Sequence, residues 1–149
     1  MNAGSKYRDL MHYLRKVVLL SERIGDRVAQ REIGIGRVPY LILRTISETD
    51  TPPSQQALAE QLSLTKGAIS RQIALLEKGA LLKVEGSVNS RREKALVLTK
   101  EGRALVQSGL AVQKRRERST LRRLDNDDIV AAARVLRIIC EQLEVEEKK

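Results

Sequence analysis

At 149 residues the chain is long enough for one domain with a core and too short for two of ordinary size. Hydrophobic residues make up 42% and charged residues 32%, with 9 Gly and 3 Pro, a globular balance that excludes collagen-like and low-complexity chains. Formal charge is +9, from 28 Lys plus Arg against 19 Asp plus Glu, which makes polyanions the leading class of partner.

The charge is not spread evenly. Residues 65–123 hold 15 basic and 5 acidic side chains, while the rest of the chain holds 13 and 14, so one continuous stretch carries the whole excess. Apolar runs such as Val17–Leu20 and Val38–Leu43 are far shorter than a membrane span needs, and no secretory signal is visible. One cysteine, Cys140, cannot staple a fold, and one histidine, His12, cannot join it in a credible metal shell. A reduced, cytoplasmic protein without cofactor or metal is expected.

In chain order, Tyr7, Leu10, Met11, Leu14, Val17, Val18, Ile24 and Val28 recur at helical spacing and predict a long helix from Ser5 to about Gln30. Gly34 and Gly36 break it, and Pro39 suits the first turn of a second helix ending near Thr49. Thr51-Pro52-Pro53 stops the chain before Ser54, a candidate N-cap. Two short amphipathic helices follow, Ser54 to about Gln61 and Thr65 to about Lys78, joined by Leu62-Ser63-Leu64 and closed by Gly79. This is the spacing of a helix-turn-helix.

Beyond Gly79 the period becomes alternating. Leu81–Glu85 and Lys94–Leu98 read as two strands of a hairpin, with Gly86–Arg92 as a polar tip. Thr99 then opens a basic helix to about Arg123, and Asp125, Asp127 and Asp128 open a last helix whose Ile129, Ala132, Leu136, Ile139 and Leu143 form one stripe. Cys140 sits in an apolar stripe of this helix, where a buried inert thiol is expected, and the tail from Glu144 is expected to fray.

The Thr65–Lys78 segment carries the functional argument. A helical wheel sets Ile69, Ile73 and Leu76 on one side and Gly67, Ser70, Arg71, Ala74 and Lys78 on the other. Small residues let a backbone approach closely, while Ser70 and Arg71 can hydrogen-bond to base edges in a major groove about 12 Å wide. Lys66 can position the phosphate backbone, and the helix starts at Ser54-Gln55 and Thr65 present free amides to phosphates. A solvated charged face is the competing reading of Lys66, Arg71 and Lys78. Arg91 and Arg92 read either as solubilising loop residues or as fingers for a neighbouring minor groove. The basic segment Lys114–Arg123 reads best as a solvated face with a steering role.

Three stretches taken together resemble the MarR family of winged helix-turn-helix transcription regulators. They are Leu58-Ala59-Glu60-Gln61-Leu62-Ser63-Leu64, Ile69-Ser70-Arg71-Gln72-Ile73-Ala74-Leu75-Leu76-Glu77, and Arg91-Arg92-Glu93-Lys94-Ala95-Leu96-Val97-Leu98-Thr99-Lys100-Glu101-Gly102. The resemblance implies that Arg92 is the wing arginine. Where the family has Asp-x-Arg, this sequence has Ser90-Arg91-Arg92, without the carboxylate. It also implies a homodimer built from terminal helices and relief by a small molecule bound between those helices and the reading domain.

The expected fold is therefore mainly α with a small β-hairpin wing: a winged helix-turn-helix over 37–98, a connecting helix over 99–123, and a helical dimerisation region from 1–36 and 124–149. The apolar stripes at both ends nominate Tyr7, Leu10, Met11, Leu14, Ile129, Leu136, Ile139 and Leu143 as interface residues, with intrachain packing as the alternative. The expected function is a homodimeric, sequence-specific binder of double-stranded DNA, a regulator of the repressor type acting on a palindromic operator. DNA contacts are expected from Ser54, Gln55, Thr65, Lys66, Gly67, Ser70, Arg71, Arg91 and Arg92. A winged helix that binds protein rather than DNA is the alternative. Catalysis is not expected, since no phosphate-cradling loop or nucleophile elbow is present.

Overall fold

A long apolar-striped helix, a tight cluster of three shorter ones, a hairpin and two further helices follow one another in the computed structural model, which describes residues 2–51, 53–87 and 90–148, and side chains outside 87–94. Helix α1 runs Ala3–Val28, opened by Asn2, whose side chain accepts from the Gly4 amide at 2.8 Å. None of its residues is buried, and Tyr7, Tyr13, Val17, Val18, Leu19, Leu20 and Ile24 are exposed. Its end widens into a π-helical turn, Ala29–Ile33, closed by Gly34 at φ 86°, a left-handed conformation that glycine adopts without strain.

Helix α2, Arg37–Ser47, begins at Gly36, which has no side chain to cap it. Asp26 of α1 supplies the acceptor instead, taking the Arg37 amide at 3.0 Å. Pro39 sits in the first turn, where its missing N–H leaves no intrahelical bond unmade. Helices α3, Gln55–Gln61, and α4, Lys66–Lys78, are capped by Ser54 and Thr65, whose hydroxyls accept from Ala57 and Ala68 at 3.1 and 3.2 Å.

Both short helices end alike. Leu64 and Ser63 amides return to the Ala59 and Glu60 carbonyls, and Leu81 and Ala80 amides to Leu76 and Glu77, a Schellman closure in each case. Such a closure needs one left-handed residue, and Ser63 (φ 53°) and Ala80 (φ 55°) fill that place. Gly79 lies at φ −78°, so the glycine expected to end α4 by its freedom does not use it.

The core gathers one face from each element: Ile42, Leu43 and Ile46 from α2, Leu58 from α3, Ile69, Ile73 and Leu76 from α4, Leu82 and Leu96 from the hairpin, and Val106 from the following helix. Each buried Ile or Leu contributes roughly 1.5–3 kcal/mol. Strands β1, Leu82–Ser87, and β2, Ser90–Leu98, pair antiparallel with Leu82 opposite Leu98 and Val84 opposite Leu96. They extend further than the alternating pattern alone indicates. The register slips between Gly86 and Ser87, which places Arg91 and Arg92 on β2 within the slip rather than in a seven-residue loop.

Helix α5, Lys100–Leu121, and helix α6, Asn126–Glu147, complete the chain. Two compact units result, Met1–Ala111 and Val112–Lys149, with the division inside α5. In the second unit, Asp125 caps α6 by accepting from the Asp127 amide at 2.9 Å, and Asp127 and Asp128 meet the positive end of its dipole. The helix continues to Glu147, through the tail expected to fray. No residue of α6 is buried, and Cys140 is exposed, contrary to the expected buried thiol.

Candidate nucleic-acid interface

Helix α4 is held by one face and offers the other. Ile69, Ile73 and Leu76 are at most 3% exposed, while Lys66, Gly67, Ser70, Arg71, Ala74 and Lys78 are all exposed. The wheel places these two sets on opposite sides for a simple reason: residues three and four apart share a face, and the core claims only one. The outward surface is small near its middle and cationic along its length. A Cβ at Gly67 would lie 3.8 Å from Arg71 Nη1, so the guanidinium reaches back over the first turn of the helix.

The far end of α4 is tied to the base of the wing. Glu77 Oε1 accepts from the Val84 amide on β1 at 3.3 Å, and the Thr99 hydroxyl donates to the Ala80 carbonyl at 2.8 Å. That same hydroxyl accepts from the Gly102 amide at 3.0 Å and so caps α5. Arg103 Nη1 donates to the Leu98 carbonyl at 2.7 Å, fixing the end of β2. Gly102 allows this junction to close, since any side chain there would run into the Leu81 carbonyl. Helix α4 and the hairpin therefore share one rigid seat.

Of the remaining residues singled out from sequence, Ser54 and Thr65 cap their helices and are exposed, and Gln55 is half-buried. Arg91 and Arg92 are on β2, but their side chains lie outside those described. In the terminal helices Leu10, Met11, Leu14, Ile129, Leu136 and Ile139 are half-buried, and Tyr7 and Leu143 are 52% and 54% exposed. Sequence patterning missed Leu75 of α4, which is 62% exposed beside Arg71. Its signal was present: at four residues from Arg71 it shares that side of the helix.

Electrostatic perturbation falls elsewhere. Tyr40 of α2 is buried, which pushes its phenol above the usual 10.0, with Arg44 opposing the shift and Glu48 adding to it. Among the described residues its hydroxyl has no hydrogen-bond partner. Among them too, no group of three His, Cys, Asp or Glu is placed to hold a metal ion, and no helix is long and apolar enough to cross a membrane.

Three helices around a hydrophobic core, the third held by its inner face, with a hairpin seated at its end, define a winged helix-turn-helix protein. Residues 33–93 match the sequence profile of the MarR family. The sequence matches no curated protein. Solved structures with the same fold include Sco3205, a MarR family transcriptional regulator from Streptomyces coelicolor in complex with DNA, at 23% identity over 93% of this chain and 88% of that one, TM-score 0.81. FabT from Streptococcus pneumoniae in complex with DNA aligns at 18% identity over 93% and 97%, TM-score 0.78. The transcriptional regulator BldR from Sulfolobus solfataricus aligns at 20% over 95% and 99%, TM-score 0.78. Residues 33–93 thus carry the MarR family profile, and the winged-helix fold extends over nearly the whole chain.

Proposed function

We propose that this protein is a transcriptional regulator that binds double-stranded DNA as a homodimer, inserting α4 into the major groove. The observation that carries this is the two-faced α4: three side chains locked into the core, and a small, cationic face left in solvent on a braced helix. Ser70 and Arg71 read base edges, Lys66 positions the backbone, and Arg91 and Arg92 on the wing occupy the flanking minor groove. Sco3205 and FabT, both of this fold and both solved in complex with DNA, support the same partner.

The dimer follows from the terminal helices. Neither α1 nor α6 buries a residue in the single chain, although both carry large apolar side chains, and a second copy removes that surface from water. Two-fold symmetry then sets a palindromic site with half-sites about one turn, ~34 Å, apart, and occupancy of such a site gives repression. Selection from random-sequence duplexes tests this directly. An enriched palindrome with one-turn spacing is expected, and recovery of no preferred sequence would remove the function.

A further inference from the structure

An exposed leucine on an otherwise polar and basic helix face is the feature of the molecule that the reading of bases by Ser70 and Arg71 does not use. We infer that Leu75, together with Ala74, reads the C5-methyl group of thymine next to the base contacted by Arg71. This rests on α4 being the reading helix.

Three observations lead there. Leu75 is 62% exposed, whereas Ile69, Ile73 and Leu76 of the same helix are at most 3% exposed, so the core has no place for it. Arg71, Ala74 and Leu75 stand at i, i+3 and i+4, which makes them one contiguous patch on the helix surface. The Arg71 guanidinium reaches toward Gly67, so its polar contact is thrown toward the start of the helix, and Ala74 and Leu75 are the apolar side chains one turn further on. A major groove offers one apolar group, the thymine methyl, and offers it at a position distinct from the acceptors of guanine.

The geometry also sets the spacing. Four residues, just over one helical turn, separate Arg71 from Leu75, about 6 Å along the axis. At ~3.4 Å per base pair, an α-helix lying along the groove carries the leucine one or two base pairs from the arginine's base. The expected motif in each half-site is thus a guanine with a thymine one or two steps away. Burying one methyl-sized group is worth about fourfold in affinity, and about fifteenfold when both half-sites of a dimer use it.

The experiment uses the full chain and the duplex obtained by selection. Deoxyuridine replaces thymidine at each position in turn, which deletes only the methyl, and binding of the wild type is compared with that of Leu75→Ala and Leu75→Asn. The inference expects ~4-fold weakening per half-site for wild type at one thymine, and clearly smaller weakening there for Leu75→Ala, which keeps only the Ala74 contact and whose baseline on the unmodified duplex is already lower. Leu75→Asn should change the base preferred at that position in a repeated selection. If both variants keep the wild-type preference and the wild-type sensitivity to deoxyuridine, Leu75 is not a reader, while α4 as a whole still is. If the wild type itself selects no sequence, the proposed function fails first, and this inference with it. Leu75 is exposed, so loss of folding is not expected, and an unchanged circular dichroism melt checks that.

Discussion

Tyr40 of α2 packs against Gly109 of α5, so closely that any side chain at 109 would overlap the phenol ring. The ring is 7% exposed and cannot swing into solvent to make room. Gly109→Ala gains helix propensity of ~1 kcal/mol, but forced overpacking typically costs 1–3 kcal/mol, and here it falls on buried ring atoms. A net loss of up to about 2 kcal/mol in urea unfolding is expected. Adding Tyr40→Ala should make the second substitution far less damaging, and purely additive losses in that double-mutant cycle would show that the two residues do not share the contact.

The same tyrosine yields a pH dependence. Its hydroxyl is buried without a partner among the described residues, and burial holds its ionisation above 10.0. Because the folded chain keeps the proton longer than the unfolded chain does, the stability tied to that proton is complete below pH 10 and is lost as pH rises through the folded value. Tyr40→Phe removes both the titration and the unsatisfied group. At neutral pH the variant should be as stable as wild type or more so, by up to about 1 kcal/mol, and its advantage should widen above pH 10. Parallel stability curves across pH 9–11 would contradict this.

Much of the architecture was legible because it depends on side-chain periodicity. Ile69, Ile73 and Leu76 repeat at helical spacing, so the buried face of α4 and its exposed opposite could be read from the sequence, as could the caps Ser54 and Thr65. What was not legible depends on tertiary neighbours. Asp26 caps α2 from another helix, and the Tyr40–Gly109 contact joins residues far apart in sequence, so no local pattern marks either one. Composition misled at Gly79, where the presence of glycine suggested the left-handed site that Ala80 holds. At the wing, a polar stretch reads as a loop, yet backbone pairing carries β2 through it to Ser90. Leu75 falls between the two faces of the helical wheel, so neither the buried set nor the exposed polar set claims it.

Ala80 therefore offers a stabilising substitution. An L-residue in the left-handed region is strained by ~1–2 kcal/mol, and glycine relieves that at the expense of a more flexible unfolded chain, worth ~0.4–1 kcal/mol. Ala80→Gly should raise stability by about 0.5–1 kcal/mol without altering DNA affinity, since residue 80 lies past the end of α4. The Thr99 hydroxyl bonds to the carbonyl of this residue, not its side chain, so the junction with the wing is kept. A thermal melt measures the effect, and a loss of stability would mean that the Ala80 methyl makes a packing contribution larger than its strain.

Arg71 and Lys66 should separate specificity from general affinity. Arg71 is placed over the first turn of α4, where a fork of donors can meet a guanine edge, so Arg71→Ala should weaken the selected site by ~1–3 kcal/mol per contact and random duplex far less. Lys66 sits at the first position of the helix, suited to phosphate, and Lys66→Ala should weaken both duplexes alike. Salt titration distinguishes the two further. Each phosphate contact contributes a slope of about −0.9 in log affinity against log salt, so losing Lys66 from both protomers should flatten the slope by nearly two. Arg71→Ala should leave most of the slope in place, because a base contact releases no counterion condensed on phosphate. Equal losses on selected and random duplex for Arg71→Ala, with the slope flattened as for Lys66→Ala, would reassign Arg71 to the backbone and leave Ser70 as the remaining polar reader.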